Sequence, residues 1–279
     1  IHPLWLCHHY SRYFVAIEEI REHMAQLGYH REGIQVPGIP VDPVFAEIKN
    51  KTEMRLKHGL ELDKTTLLLS VGGLGMGPLE EVLSALRHLQ SRVQIVAVCG
   101  NNPELKERAE SISAEVSGFS GNPIKCIGYT NEMDELMTAA DLIVGKAGGL
   151  TSSEALCKGL VFVIANPVPG QEERNADHLL EEWVAIRCNN LPALAFKIDQ
   201  LLEDREKLEL MRAKSLAFGK PNAAKNIARE VAELALEEQP VLDLHPANHH
   251  CAIAPKSTNN GIVEMINNNF FNNQKRDVI

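Results

Sequence analysis

The segment Asp141–Asn175, DLIVGKAGGLTSSEALCKGLVFVIANPVPGQEERN, contains the pattern on which the predicted fold depends. Asp141 to Val144 and Val161 to Ala165 are short apolar runs, which are typical of buried strands. Between them, the Gly145–Gly149 turn has no bulky side chain to shield its backbone, and Thr151-Ser152-Ser153 offers hydroxyl groups that favour a helix N-cap. The segment therefore predicts a strand, a glycine turn, a helix and a second strand.

The glycine turn favours an anionic ligand. The first turn of a helix has free N–H groups and the positive end of the helix dipole, and bare glycine backbone beside it lets a phosphate approach closely. A diphosphate is the simplest such ligand. On these residues alone, a glycine turn with a Ser/Thr cap and no ligand is the alternative interpretation.

Apolar runs and helical patterns alternate along the rest of the chain. Thr65 to Val71, Val93 to Cys99 and Ile124 to Ile127 predict strands, with helical segments between them. This alternation predicts an α/β fold with a parallel sheet and helices on both faces. In such sheets ligands bind beyond the carboxyl ends of the strands, where we expect both the Gly72–Gly77 and the Gly145–Gly149 turns.

Composition excludes some classes of function. The 279 residues carry a formal net charge of −9, which argues against nucleic acid as a partner, because affinity for nucleic acid comes largely from Lys and Arg. No apolar run approaches the roughly 20 residues that span a bilayer, so no transmembrane segment is predicted. The first residue is isoleucine and no signal-peptide pattern follows, so we expect the chain to begin inside a longer protein.

The cysteines are scattered and form no CxxC motif, so we expect reduced thiols in a cytosolic compartment rather than disulfides. They are Cys7, Cys99, Cys126, Cys157, Cys188 and Cys251.

Several side chains with useful chemistry are expected at the same edge of the sheet as the glycine turn. Tyr129 follows a strand and is placed to face a nucleobase, with packing on the next helix as the alternative. Glu154, just inside the helix after the turn, is placed to accept hydrogen bonds from both ribose hydroxyls. Lys146 is either a phosphate partner or a surface residue beside a carboxylate. Amide and carboxylate groups suited to sugar hydroxyls follow the next strand, at Gln171, Glu172 and Asn175.

Three motifs resemble the donor-binding half of the family 28 glycosyltransferases: IGYTNEMDELM (Ile127–Met137), ADLIVGKAGGLTSSEA (Ala140–Ala155) and NPVPGQEERNA (Asn166–Ala176). The resemblance covers about Ile1 to Leu236. KAGGLT together with PVPGQE is most similar to the processive diacylglycerol glucosyltransferases and monogalactosyldiacylglycerol synthases. The family's peptidoglycan enzyme usually has another residue at the position of Lys146 and a Gln-Gln pair where this chain has Gln-Glu.

The resemblance implies a GT-B fold, in which two Rossmann-like domains enclose the active site. It implies an inverting hexosyl transfer from a UDP-sugar to a lipid acceptor such as diacylglycerol, without a cofactor or an obligatory metal. Backbone amides like those of Gly148 to Thr151 would stabilise the departing UDP. The full protein would be cytoplasmic and peripheral at the membrane. The UDP-sugar-binding residues that the resemblance implies are Gly73, Tyr129, Thr130, Met133, Lys146, Gly148, Gly149, Leu150, Thr151, Ser153, Glu154, Gln171, Glu172 and Asn175.

The same resemblance divides the chain into three parts. Residues 1–43 correspond to a remnant of the N-terminal acceptor domain and the linker, residues 44–237 to the C-terminal UDP-sugar-binding domain, and residues 238–279 to an asparagine-rich tail that we expect to be disordered. The resemblance implies that this sequence lacks most of the family's N-terminal domain, which supplies the catalytic base in the family. The chain alone is therefore expected to bind a UDP-sugar and to transfer nothing.

Three other functions compete with this one. The chain could be a non-catalytic UDP-sugar-binding subunit that needs a separate acceptor-domain partner. It could belong to an enzyme that transfers GlcNAc from UDP-GlcNAc to a polyprenyl-linked acceptor, as in peptidoglycan synthesis. An NAD-binding Rossmann module is the third, but the chain lacks GxGxxG after its first strand and an acidic residue placed for the ribose there.

Overall fold

The computed structural model describes Leu6 and residues 10–70, 78–165, 167 and 170–236. These residues belong to two compact units, a small one that includes residues 19–34 and a large one that includes residues 35–236. In the small unit Met24 is fully buried and the hydroxyl of Tyr29 donates to the Leu6 carbonyl at 2.7 Å. Gly73 and the predicted disordered tail lie outside the described residues.

Strands and helices alternate through the large unit, as the sequence predicts. The strands are β1 (Tyr13–Phe14), β2 (Ile34–Gln35), β3 (Thr65–Ser70), β4 (Val93–Val98), β5 (Ile124–Ile127), β6 (Leu142–Gly145), β7 (Val161–Ala165) and β8 (Ala185–Cys188). The helices are α1 (Glu18–Gln26), α2 (Lys51–Lys57), α3 (Leu79–Ala85), α4 (Pro103–Ser120), α5 (Met133–Ala139), α6 (Gly149–Cys157), α7 (Gln171–Glu181), α8 (Leu194–Glu203), α9 (Arg205–Phe218) and α10 (Ala223–Leu236).

Six of the strands form one parallel sheet in the order β5-β4-β3-β6-β7-β8. This confirms the predicted parallel sheet, and the order is that of dinucleotide-binding Rossmann folds. β1 and β2 pair separately in a two-stranded sheet.

Hydrophobic cores cover both faces of the six-stranded sheet. Leu67 and Leu69 of β3 pack in one core with α3, α4, α8 and α9, whereas Leu68 packs in the other with α5, α6 and α7. Successive strand residues point to opposite faces, so a strand covered on both sides must be apolar throughout. This explains why the central strands are continuous apolar runs rather than alternating ones.

Asp141, just before β6, is the centre of a largely buried ion cluster. Its carboxylate accepts hydrogen bonds from Lys51 Nζ (2.5 Å), Arg55 Nη2 (2.6 Å), the Thr66 N–H (2.7 Å) and Arg212 Nη1 (3.3 Å). Burial by itself raises the pKa of Asp141, but the charge and hydrogen bond of Lys51, followed by Thr66 and Arg55, lower it overall. The cluster fastens the start of β6 to α2, β3 and α9.

A second ion cluster joins α2 to α5. Glu135 contacts Lys57 Nζ at 2.6 Å, His58 Nε2 at 3.0 Å and Lys49 Nζ at 3.3 Å, and Lys57 also pairs with Glu132 at 2.9 Å. The hydrogen bond from Lys57 outweighs burial and, with His58 and Lys49, lowers the pKa of Glu135 to about 2. His58, Glu132 and Glu135 bring potential ligand atoms within 4.8 Å of one another, but lysine already pairs with both carboxylates.

Among the described residues, no helix is both long and apolar enough to cross a membrane.

Replacing Asp141 with asparagine should destabilise the fold strongly, because Lys51 and Arg55 then lose the carboxylate that compensates their charge. We expect a loss of about 3 kcal/mol in the free energy of unfolding at pH 7, measured by urea denaturation. The matched control is Glu115→Gln, which removes an exposed ion pair with Arg87 and should cost about 0–1 kcal/mol. Equal effects of the two changes would contradict a structural role for the cluster.

Candidate functional site

The centre of the sheet contains a topological switch point. β3 and β6 lie side by side, and the chain proceeds outward from them to β4 and β5 on one side and to β7 and β8 on the other. Loops at such a point separate and leave a crevice at the carboxyl ends of the strands. A depression in that position is lined by Ser70, Gly145 and Lys146, among others.

Two glycines give the turn after β6 its shape. Gly145 pairs with Ser70 of β3, and a Cβ atom at position 145 would overlap the Ser70 carbonyl. At Gly148, by contrast, no described residue beyond its chain neighbours has an atom within 4 Å of the place where a Cβ would lie. The turn is therefore packed against β3 at its start and open at its end, where a ligand can approach the backbone.

The N-terminus of α6 presents N–H groups that have no acceptor among the described residues. The Gly148 N–H is engaged within the turn, because it donates to the Lys146 carbonyl at 2.8 Å. The Ser152 N–H makes the first helical bond, to the Gly148 carbonyl at 2.9 Å. The N–H groups of Gly149, Leu150 and Thr151 lie between these two and have no helical acceptor. Three amides, rather than the four expected from Gly148 to Thr151, have no acceptor in the described part of the chain and can bind an anion.

The prediction that Thr151-Ser152-Ser153 caps α6 is wrong. The helix begins at Gly149 with Gly148 as its N-cap, and no side chain caps it. The Ser152 and Ser153 hydroxyls instead donate to the Gly148 and Gly149 carbonyls, each at 2.8 Å. Gly148 has the extended backbone of an N-cap, so the helix starts earlier than predicted. Ser152 and Ser153 therefore lie inside the helix, where a serine hydroxyl can donate to the carbonyl four residues before it.

Lys146 lies in the turn and is half-buried. No carboxylate among the described residues forms an ion pair with it, unlike the lysines of the two ion clusters. The sequence left open whether Lys146 pairs with a surface carboxylate, and the described part of the chain offers none. Within the described residues, Lys146 therefore adds a positive charge without an ion-pair partner to the turn that precedes α6.

Glu154 is half-buried in the second turn of α6. Burial, followed by the negative charge of Asp42, raises its pKa to about 7. Asp42 is itself held in place, since its carboxylate accepts a hydrogen bond from the Val44 N–H at 2.9 Å. Glu154 is thus a carboxylate that titrates near neutral pH and retains its capacity to accept hydrogen bonds.

The loop after β5 carries the predicted nucleobase residues. Tyr129 is 66% exposed, so most of its side chain is not packed against the next helix. The Thr130 hydroxyl accepts a hydrogen bond from the Glu132 N–H at 3.0 Å, and Met133 starts α5 and packs against the core. β5 is three strands from β6, so at about 4.8 Å per strand the loop lies on the order of 14 Å from the glycine turn. Only an elongated ligand could contact both.

The start of α7 carries the predicted sugar-binding residues. Gln171 is exposed at the first position of the helix and Glu172 is half-buried. The side chain of Asn175 makes a hydrogen bond within the protein: its Nδ2 donates to the Ala147 carbonyl at 2.9 Å. The structure therefore brings Asn175 to the glycine turn itself.

Sequence reasoning missed the part that the connector before α2, Pro37 to Pro43, plays at this site. A Cβ at Gly149 would lie 3.1 Å from Ile39 Cδ1, so Ile39 packs closely against the first turn of α6. Asp42, three residues further, is the charge that acts on Glu154. The prolines of this segment predict a stiff connector, but no local signal indicates which helix it follows.

A model of the glycosyltransferase family 28 C-terminal domain matches residues 66–230, which contain every strand of the six-stranded sheet except the first residue of β3. The chain belongs to glycosyltransferase family 28. The family resemblance of the three motifs is thereby confirmed.

Curated members of family 28 give the same assignment. The chain is 33% identical over 235 residues to a processive diacylglycerol beta-glucosyltransferase of Bacillus pumilus, covering 84% of this chain and 60% of that relative. It is 28% identical to monogalactosyldiacylglycerol synthase 1, chloroplastic, of Arabidopsis thaliana, covering 84% of this chain and 44% of the relative. The chain thus spans less than two thirds of the length of these relatives.

Solved structures confirm the GT-B-type fold of this family 28 chain. MurG of Acinetobacter baumannii superposes with a TM-score of 0.57 at 21% identity, covering 72% of this chain and 56% of MurG. A UDP-GlcNAc 2-epimerase of Neisseria meningitidis bound to UDP-GlcNAc superposes with a TM-score of 0.59 at 16% identity, covering 80% of this chain and 61% of the epimerase. At these identities the similarity concerns the fold alone.

The raised pKa of Glu154 has a consequence for the stability of this family 28 domain. The folded protein binds a proton at Glu154 up to about pH 7, whereas the unfolded chain releases it near its ordinary value of about 4.3. Stability therefore falls as the pH rises through this window. Glu154→Gln should raise the free energy of unfolding at pH 8 by about 1–2 kcal/mol, allowing for solvent screening of a partly exposed group, and by much less at pH 4. Thermal melts at both values check this, and a loss of stability at pH 8 would contradict it.

Proposed function

We propose that the crevice binds the nucleotide of a UDP-sugar, and that the whole protein transfers the hexose, with inversion, to a lipid acceptor such as diacylglycerol. The observation that carries this proposal is the α6 N-terminus, where the N–H groups of Gly149, Leu150 and Thr151 lack helical acceptors. Lys146, in the turn before this helix, has no ion-pair partner in the described part of the chain. A diphosphate satisfies both features, because it accepts hydrogen bonds from the amides and neutralises the lysine.

The spacing of the other site residues suggests which of them contact the ribose, the uracil and the hexose. Glu154 lies one turn into α6 from the diphosphate and would accept hydrogen bonds from the ribose hydroxyls. Tyr129, across the sheet, would flank the uracil, and the Thr130 and Met133 positions border it. Gln171 and Glu172, at the start of α7, would contact the hexose.

The site residues can assist departure of the leaving group. As the bond between the sugar and the diphosphate breaks, negative charge develops on the diphosphate. The three amides, the dipole of α6 and Lys146 already create a positive potential at the diphosphate. They therefore stabilise the developing negative charge without rearranging. Activation of the acceptor hydroxyl needs a base within hydrogen-bond reach, and we propose that another part of the whole protein supplies it.

The acceptor and compartment are also proposals. The curated relatives named above are a diacylglycerol glucosyltransferase and a monogalactosyldiacylglycerol synthase, which supports a lipid acceptor and therefore work at a membrane surface. Four cysteines in the described residues are free: Cys99, Cys126, Cys157 and Cys188. Free thiols fit a reducing compartment, so we propose the cytoplasmic side.

The nucleobase assignment predicts that the chain prefers UDP to ADP, and that Tyr129→Ala reduces this preference. Base–aromatic contacts contribute about 1–3 kcal/mol, so we expect about tenfold weaker UDP binding by the variant in calorimetry. Phe119→Ala, a change of another exposed aromatic residue, is the control and should leave UDP affinity unchanged. Equal affinity of the wild-type chain for UDP, ADP and NAD would refute a uridine site.

The acceptor assignment predicts glycolipid synthesis by the whole protein. We expect label from UDP-glucose or UDP-galactose in the lipid fraction when vesicles contain diacylglycerol, and none when they lack it. Lys146→Met should reduce this transfer, because the diphosphate loses its counter-charge.

Two other outcomes would favour the competing functions. If the whole protein transfers GlcNAc from UDP-GlcNAc and only to a polyprenyl-linked acceptor, that acceptor takes the place of diacylglycerol in the proposed function. Binding of UDP-sugars without transfer to any lipid by the whole protein would indicate a donor-binding subunit.

A further inference from the structure

The side chain of Asn175 contacts the backbone of the glycine turn across 28 residues of sequence. Its amide nitrogen, Nδ2, donates a hydrogen bond of 2.9 Å to the Ala147 carbonyl, and the residue is half-buried. Asn175 lies in α7, whereas Ala147 lies between β6 and α6. The contact therefore ties together the two segments that border the proposed diphosphate and hexose.

The bonded carbonyl belongs to a peptide unit that is held at both of its polar groups. The carbonyl of Ala147 and the N–H of Gly148 form one planar peptide. The carbonyl accepts from Asn175 at 2.9 Å, and the N–H donates to the Lys146 carbonyl at 2.8 Å. The orientation of this peptide is consequently fixed by one contact within the turn and one contact from α7.

The Gly148 side of this peptide is not held by side-chain packing, whereas Ala147 is fully buried. Gly148 has no side chain, and apart from its chain neighbours no described residue has an atom within 4 Å of the position of an added Cβ. Rotation of the peptide would exchange the places of its partly positive N–H and partly negative carbonyl, directly before the N-terminus of α6. A carbonyl oxygen turned toward an anion would oppose its binding.

We propose that Asn175 is a positioning residue for the diphosphate: it holds the Ala147–Gly148 peptide so that the turn presents no carbonyl to the phosphates. This inference rests on the proposed function and deepens it. It differs from the role that the family resemblance implies for Asn175, which is contact with the sugar. A sugar contact affects UDP-sugar binding only, whereas a positioning role affects UDP, which has no sugar beyond its ribose.

The test measures UDP, UMP and UDP-glucose affinities by calorimetry for the wild-type chain, Asn175→Ala and Asn175→Leu. The leucine variant nearly keeps the size of the side chain and adds no charge beside the phosphates, but it cannot donate to the carbonyl, which protects the test against simple loss of folding. We expect UDP affinity to fall about tenfold in both variants and UMP affinity to fall less, because UMP places fewer phosphate oxygens at the turn. Asp177→Asn, on the same helix and paired with Arg187 at the surface, is the control and should bind UDP as the wild type does.

Amide hydrogen exchange provides an independent measurement of the turn. Exchange of the Gly148 N–H should accelerate in both Asn175 variants and not in the control, since the peptide loses one of its two fixed ends. UDP affinity within twofold of wild type in both variants, with loss confined to UDP-glucose, would overturn the positioning role in favour of sugar contact. Unchanged exchange at Gly148 would also overturn it. Failure of the wild-type chain to bind UDP would instead refute the proposed function, and with it this inference.

Discussion

Strand β6 is held by an ion cluster at its amino end and ends in a glycine turn without bulky side chains at its carboxyl end. The site depends on this difference. At its amino end Asp141 binds Lys51, Arg55 and the Thr66 backbone. At its carboxyl end Gly145 lies so close to β3 that no side chain fits. β6 and β3 are the central pair of the sheet. The carboxyl end of β6 therefore lies at the topological switch point, where the crevice forms. The fixed strand therefore positions the first turn of α6 beside an accessible crevice.

The charged groups of the molecule follow the same division. In the cluster between α2 and α5, Glu135 is surrounded by basic side chains, and its pKa falls to about 2. In the crevice, Lys146 has no carboxylate partner among the described residues. Burial and the nearby charge of Asp42 raise the pKa of Glu154 to about 7. Charged groups without an ion-pair partner in the described residues are available to a ligand. Pairing thus distinguishes the structural charges from those of the proposed site.

The connector before α2 forms one wall of this site rather than a detached linker. Ile39 packs against Gly149, and Asp42 acts on Glu154. Just after α6, Lys158 Nζ donates to the Glu47 carbonyl at 2.8 Å. The segment before α2 therefore contacts α6 at its first turn and again just past its last residue.

Much of the architecture and the family could be predicted from the sequence. Continuous apolar runs such as Leu67–Leu69 predict strands buried on both faces, and their alternation with helices predicts a parallel sheet whose carboxyl edge contains the Gly145–Gly149 turn. The family motifs identify glycosyltransferase family 28, which the family model confirms. These inferences succeed because period, turn chemistry and motif spacing are local properties of the chain.

The detailed geometry of the site was decided by tertiary structure. The sequence suggested a hydroxyl cap for α6, but Gly148 starts the helix and the serines bond inward. It placed Asn175 toward the sugar only, and it gave no sign that Asp42 lies near Glu154. The contacts of Asn175 and Asp42 join segments that are far apart in the chain. The serine hydrogen bonds depend on which of several similar backbone carbonyls the hydroxyl reaches. Local preference is too weak to choose among such partners, so the packing of the connector, α6 and α7 around β6 makes the choice.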